Sequence, residues 1–186
     1  MEDICLSVKS SNVADTYKAY RLLHERTDYP LHLGVTEAGV GEMALAKSDA
    51  CIGGLLLDGI GDTIRVSIAD DPVKEVEAGI RLLRAVGLRR DFVNVVACPT
   101  CGRTNYDVIG VSTRLSDLTK HIRKPLTVAV MGCVVNGLGE GAHADFGVAG
   151  GKDRSILFAH GQQIATVANE EVLPALMRLI VEACDG

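Results

Sequence analysis

The chain contains no tryptophan, and aromatic residues make up only 4% of its 186 positions. That scarcity removes the stacking platforms on which proteins hold single-stranded bases. Long basic runs are missing as well, and the net charge is −5, which excludes broad electrostatic attraction to nucleic acid. An anionic ligand must therefore be held by a few local donors. No apolar run reaches membrane-spanning length, and Glu2 and Asp3 stand where a secretory leader carries positive charge. Neither nucleic acid nor a membrane is expected as a partner, and the expected setting is the cytoplasm. No low-complexity tract interrupts the chain.

What is present is globular in composition, 47% hydrophobic and 23% charged, with length for one large domain or two small ones. Six cysteines, Cys5, Cys51, Cys98, Cys101, Cys133 and Cys184, are spread too thinly for a disulfide-stapled mini-domain. In a reducing compartment grouped cysteines mean metal or redox chemistry. The group is Cys98-Pro99-Thr100-Cys101-Gly102-Arg103, joined after a helix and a strand by Met131-Gly132-Cys133 and the glycine-rich run that ends in Glu140. Three thiolates and a nearby carboxylate suit a thiophilic metal or an iron–sulfur cluster, and do not suit calcium or magnesium.

The first half alternates strand and helix. Strands are expected at Asp3–Val8, Leu31–Thr36 and Thr63–Ile68. Helices are expected from Asn12, from Met43 to Leu57 after the turn at Gly39–Gly41, and from Pro72 to Gly87. The last of these carries Val73, Val76, Ile80 and Leu83 as its apolar stripe. Such alternation implies parallel strands with right-handed crossovers, whose C-terminal ends form the ligand face. The expected ends carry Lys9-Ser10, Thr36-Glu37 and Arg65-Val66-Ser67. Three such units neither close a barrel nor cover both edges of an open sheet. From about Leu88 the pattern changes. A strand at Phe92–Ala97 runs into the first cysteine pair, and a helix at Tyr106–His121 follows. Next come a strand at Leu126–Met131, a three-segment meander at Phe146–Ala149, Ser155–Ala159 and Gln163–Val167, and a closing amphipathic helix. The expected division is 1–87 and 88–186.

The cysteine motifs, together with His32-Leu33-Gly34-Val35-Thr36-Glu37-Ala38-Gly39 and Asp58-Gly59-Ile60-Gly61-Asp62-Thr63-Ile64-Arg65-Val66-Ser67, closely resemble the 4-hydroxy-3-methylbut-2-enyl diphosphate synthase family of the non-mevalonate isoprenoid route. The resemblance runs in order along essentially the whole chain. It implies an α/β protein: the last three or so βα units of a TIM-type parallel barrel at 1–87, which bind substrate, followed at 88–186 by a small α/β domain with a mixed sheet. The second domain would hold a four-iron four-sulfur cluster. Carried over position by position, Cys98, Cys101, Cys133 and Glu140 match the cluster ligands. Lys9, Arg65 and Ser67 match positions that hold a diphosphate, and Thr36 and Glu37 match positions beside the reacting part of the substrate. Glu37 and Glu140 are then the catalytic carboxylates, Glu37 as proton donor or carboxylate partner and Glu140 as the exchangeable ligand. The implied reaction is the reductive opening and dehydration of 2-C-methyl-D-erythritol 2,4-cyclodiphosphate, with ferredoxin or flavodoxin as electron donor. The implied assembly is a homodimer in which the cluster domain of one subunit caps the barrel of the other. Leu138 stands where the family usually has proline; proline stiffens a loop, so leucine is expected to loosen the one that leads to Glu140.

Plainer readings stand beside these. Cys98 and Cys101 alone also fit a zinc knuckle or a redox dithiol, so a zinc-stabilised binding module without turnover is the rival from another class. An inactive truncated remnant of the enzyme is the second rival. Cys5, Cys51 and Cys184 read as small buried or half-buried apolar residues, and His32, within a strand, as a hydrogen-bonded core residue. Asn136 reads as a residue that shapes the cysteine loop, and Gly150-Gly151 as a turn.

Overall fold

The computed structural model describes residues 3–134, 137, 139 and 141–185. They form two compact units, Met1–Arg89 and Arg90–Gly186, and both are α/β.

The first unit is built on two parallel strands, β1 (His32–Gly34) and β2 (Thr63–Arg65). The expected strand at Asp3–Val8 shrinks to a single parallel bridge, Leu6 to Leu31. There Leu6 N–H donates to Pro30 O and His32 N–H to Leu6 O, both at 2.8 Å. Both β1 and β2 are also shorter than their apolar runs, because a ladder lasts only while a neighbour matches it residue for residue. Helix α1 (Val13–His24) starts at Asn12, whose side chain accepts from the amides of Ala14 and Asp15, so the asparagine satisfies donors that a helix start leaves orphaned. Helices α2 (Gly41–Ser48) and α3 (Gly54–Leu57) are joined by a π-helical turn over Asp49–Gly53. That wider turn brings Gly53 against Leu82 and Gly54 against Tyr17, where an added Cβ would lie 3.1 Å from each side chain. Leu33, Val35, Cys51, Ile52, Leu55 and Tyr20 form the fully buried centre.

Helix α4 (Pro72–Ala85) begins at Pro72 as expected, with the Asp71 side chain accepting from the Val73 amide, but its buried face is not the expected one. Ala78, Gly79 and Leu82 face inward, and Gly79 sits over Ile64 and Val66 of the β2 segment. Val73 and Val76 are 61% and 62% exposed. With Ile80 and Leu83 continuing the stripe, Val76 helps line an open groove of about 310 Å³ against Ile64, Arg65 and Val66. Small residues allow the closer approach to the strand, so they win the inner face and leave the larger ones outside.

The second unit is a five-stranded mixed sheet in the order β3 (Val93–Ala97), β4 (Leu126–Met131), β5 (Phe146–Ala149), β6 (Arg154–Ala159), β7 (Gln162–Ala168). The first three strands are parallel and the last two antiparallel. Period-two alternation sorts its faces. Val128, Val130, Val148 and Leu157 meet helices α5 (Val108–Thr119) and α6 (Val172–Asp185) through Val108, Leu115, Leu176 and Ile180. On the opposite face Ala129, Met131, Ala149 and Phe158 form a second cluster. Glycines leave room on that face for the Phe158 ring. A Cβ on Gly147 or Gly141 would come within 2.2 or 2.4 Å of its ring.

Candidate functional site

In the first unit the pleat that sends Leu33 into the core sends His32 and Gly34 to the opposite face. The register pairs His32 with Thr63 and Gly34 with Arg65. Lys9 crosses above Gly34, where a Cβ would lie 3.0 Å from Lys9 Cε and 3.6 Å from its Nζ. The glycine therefore makes room for the ammonium group. Burial, and then the charge of Arg65, hold the Lys9 pKa below its ordinary value. Burial also lowers that of His32, with Lys9 and Arg65 adding to the effect, and His32 Nδ1 shares a 2.8 Å hydrogen bond with Thr63 Oγ1. No ion pair to Lys9 or Arg65 is found among the described residues. Two cations and a predominantly neutral imidazole thus share one patch, a combination an anion would relieve.

Thr36 and Glu37 follow β1, and Ser67 follows β2. Glu37 adopts φ 53°, a left-handed conformation that costs a non-glycine residue roughly 1 kcal/mol. Gly39 and Gly41 continue the loop at φ 104° and 59°. His32 is hydrogen-bonded as expected but is not a core residue: it stands half-buried on the face of Gly34. The signal for it was present in the alternation, since it stands two positions from Gly34 on the same face.

In the second unit the cysteines gather at the C-terminal ends of two neighbouring parallel strands. Cys98 follows β3 and its amide donates to Val130 O at 3.3 Å. Cys133 follows β4 and is buried. The β3 and β4 ends are tied further: Gly132 N–H donates to Cys98 Sγ at 3.1 Å. Cys101, exposed, heads a turn in which its amide donates to Thr104 Oγ1 and Thr104 N–H donates back to Cys101 O. Hydrogen bonding from the Arg103 backbone, then from its side chain, draws the Cys101 thiol below its usual pKa. Beyond Cys133, the Gly137 amide donates to Cys133 O and the Gly141 amide to Gly137 O. Gly137 presses so closely on β5 that a Cβ there would lie 2.5 Å from that of Ala149.

Residues 104–106 close over the site from the other side. Thr104 packs on Gly132, and Asn105 N–H donates to Gly132 O at 3.0 Å. The ring of Tyr106 covers Gly150, where a Cβ would come within 2.4 Å of it. Its buried hydroxyl has no hydrogen-bond partner among the described residues. Burial, and then the negative charge of Cys98, push its pKa far above the phenol range, so the hydroxyl keeps its proton.

Glu140, with Asn136 and Leu138, lies outside the described residues. Among the described residues no three His, Cys, Asp or Glu side chains converge as a single metal ion requires. A cluster ligated at separate irons does not need that convergence. In donor chemistry the site fits it: two thiols at adjoining strand ends, a third on the turn after β3, a backbone amide already directed at one sulfur, and an orphaned buried hydroxyl on Tyr106. No helix among the described residues is long and apolar enough to cross a membrane.

Comparison with known proteins adds a separate line of support. The family model for the GcpE TIM-barrel domain matches residues 1–80, and that for the GcpE protein C-terminal domain matches residues 94–182. The chain is 52% identical over 178 residues to 4-hydroxy-3-methylbut-2-en-1-yl diphosphate synthase (flavodoxin) of Caldanaerobacter subterraneus subsp. tengcongensis, a match covering 96% of this chain and 50% of that protein. Identity to the protein of the same name from Thermotoga maritima is 53% over 174 residues, 94% of this chain and 50% of the relative. For that of Clostridium perfringens it is 45% over 178 residues, 96% and 51%. The chain spans about half the length of the curated relatives it matches.

Proposed function

The chain belongs to the GcpE family, and from that premise we propose that it supplies part of a reductive ring-opening enzyme of isoprenoid-precursor synthesis. The substrate of that enzyme is 2-C-methyl-D-erythritol 2,4-cyclodiphosphate and the product 4-hydroxy-3-methylbut-2-enyl diphosphate. Two electrons and two protons are consumed and one water is released. The relatives' names specify flavodoxin, so flavodoxin rather than ferredoxin is the proposed donor. A homodimer in which one subunit's cysteine unit serves the other's barrel belongs to the same proposal, and sedimentation of the complete enzyme tests it.

The observation that carries this reading is the placement of Cys98 and Cys133 at neighbouring parallel strand ends, with Cys101 on the turn between β3 and α5 and the Gly132 amide on Cys98 Sγ. In the proposal Cys98, Cys101, Cys133 and Glu140 hold a four-iron four-sulfur cluster. A cluster bound there would supply single-electron transfer to the reduction. The chain's own residues do the rest. Lys9 offers a point charge and Arg65 a planar fork to the diphosphate, with Ser67 adding a hydroxyl. Thr36 and Glu37 sit beside the reacting carbons, and Glu37 gives a proton to the departing hydroxyl. Its left-handed backbone is a strain retained where the carboxylate must be aimed.

The first unit reads as the last part of a TIM-type barrel. β2 pairs only with β1 among the described residues, and the uncovered stripe of α4 stands next to that open edge. A further βα unit would cover both at once.

Anaerobic incubation of the chain with iron, sulfide and a thiol reductant tests the cysteine assignment. The expected product is brown, with broad visible absorbance and iron and sulfide in equal amounts. A colourless protein holding zinc through the same cysteines would establish the binding module instead. A loaded protein that leaves the cyclodiphosphate unreacted in the presence of reduced flavodoxin and a supplied N-terminal barrel portion would establish the inactive remnant.

A further inference from the structure

We propose that Tyr106 is a positioning residue of the cysteine site, its phenolic O–H donating a hydrogen bond to a sulfide of the cluster held there and so raising the reduction potential of the centre. The inference rests on the iron–sulfur reading above and deepens it.

A buried hydroxyl with no partner costs about 1–3 kcal/mol, and each such group in a folded protein calls for a reason. Packing does not provide one. The ring alone fills the space over Gly150 and joins the cluster of Val108, Val130 and Val148. Phenylalanine would do as much without the orphaned oxygen. The geometry around the ring points one way. Residues 104 and 105 are clamped to Gly132, and Gly132 donates its own amide to Cys98 Sγ. The aromatic ring covers Gly150, whose amide is bonded to Met131 O at 2.8 Å, and an added Cβ on Gly150 would reach within 2.8 Å of Gly132 O. Tyr106 thus stands against the end of β4, whose Gly132 amide reaches Cys98 Sγ, while its own hydroxyl has no partner among the described residues. A fully protonated phenol in that position has one thing to offer, its proton.

The consequence is electrostatic. The reduced centre carries one more negative charge than the oxidised one, so a donor to its sulfur stabilises the reduced state more. Losing the donor moves the potential to more negative values.

The test uses the full chain, loaded anaerobically with iron and sulfide, and reads the midpoint potential by redox titration followed in the visible spectrum. Tyr106→Phe is expected to retain the iron and sulfide content of the parent and to titrate at a more negative potential. A ring-fluorinated tyrosine at 106, a stronger donor of the same shape, is expected to shift the potential the opposite way. In the metal-free chain Tyr106→Phe should melt no lower than the parent, since an unpaired hydroxyl has been removed. Equal potentials for the parent, the phenylalanine and the fluorotyrosine proteins would overturn the inference while leaving the cluster reading intact. A parent that takes up no iron and sulfide would overturn both.

Discussion

The two units are of similar size, yet they differ in how far each completes its own interior. Nine of the fourteen large apolar side chains left exposed among the described residues belong to the first unit, Val40, Met43, Leu57, Val73, Val76 and Leu88 being the most open there, all above 60%. The second unit has five strands with helices packed on one face and, on the other, a cluster of the strands' own Ala129, Met131, Ala149 and Phe158. In the first, two short strands carry α1, α4 and the joined helices α2 and α3. A sheet that narrow cannot cover the helical faces laid on it. The contrast teaches that one α/β unit is organised to stand alone and the other to be joined.

The largest effect follows directly. Produced separately, residues 90–186 are expected to unfold cooperatively in denaturant, whereas residues 1–89 are expected to show a broad transition or to aggregate. Circular dichroism and light scattering check this, and a sharp, reversible transition for 1–89 would abolish the contrast. Within the second unit, Leu176→Ala should cost about 2–5 kcal/mol, because Leu176 is fully buried where α6 meets the sheet. The matched deletion in the first unit, Leu57→Ala at a side chain 72% exposed, should stay within about 0.5 kcal/mol.

How much of this was legible beforehand depended on range. Asn12 as a cap, Pro72 at a helix start and the bounds of β4 were readable because each is decided within a few residues. The mixed sheet of the second unit followed from the same local signals, two strands around a helix and then three short segments around glycines. Outcomes decided at long range were not readable. The stripe of α4 was assigned inward on period alone, although Gly79 was the residue able to meet Ile64 and Val66. The strand near Cys5 lost its ladder to the shortness of β1. Tyr106 gave no signal, since its significance lies in Gly150, far along the chain. The positions of the cysteines at strand ends were anticipated by the strands that run into them. Glu140 falls outside the described residues.

Smaller in effect is the cation patch. Arg65→Ala is expected to weaken binding of pyrophosphate at least tenfold, about 1.4 kcal/mol, and Lys9→Ala to do the same, with isothermal calorimetry as the measurement. Unaltered affinity in both would make them structural. His32 reports on the same patch. Burial, Lys9 and Arg65 lower its folded-state pKa, so the stability tied to its neutral form is present above the unfolded value near about 6.5 and is lost as pH falls through the lower folded value. Pyrophosphate, by bringing negative charge beside the ring, should raise that pKa in an NMR titration. A pKa indifferent to pyrophosphate would place the anion elsewhere.

The smallest effect carries the sharpest reading of the comparison. Val76→Ser removes two methyl groups from a helix face that is already in water, so in this chain it should alter stability by no more than about 0.5 kcal/mol. If a further βα unit covers the groove between α4 and β2, the same substitution made with that unit present buries a hydroxyl among Ile64, Ile80 and Leu83. It should then cost about 1–3 kcal/mol. The quantity that discriminates is the difference between the two measurements, in which any change in helix propensity cancels. A difference near zero would mean that the stripe of α4 stays in solvent and that the first unit ends where its two strands end.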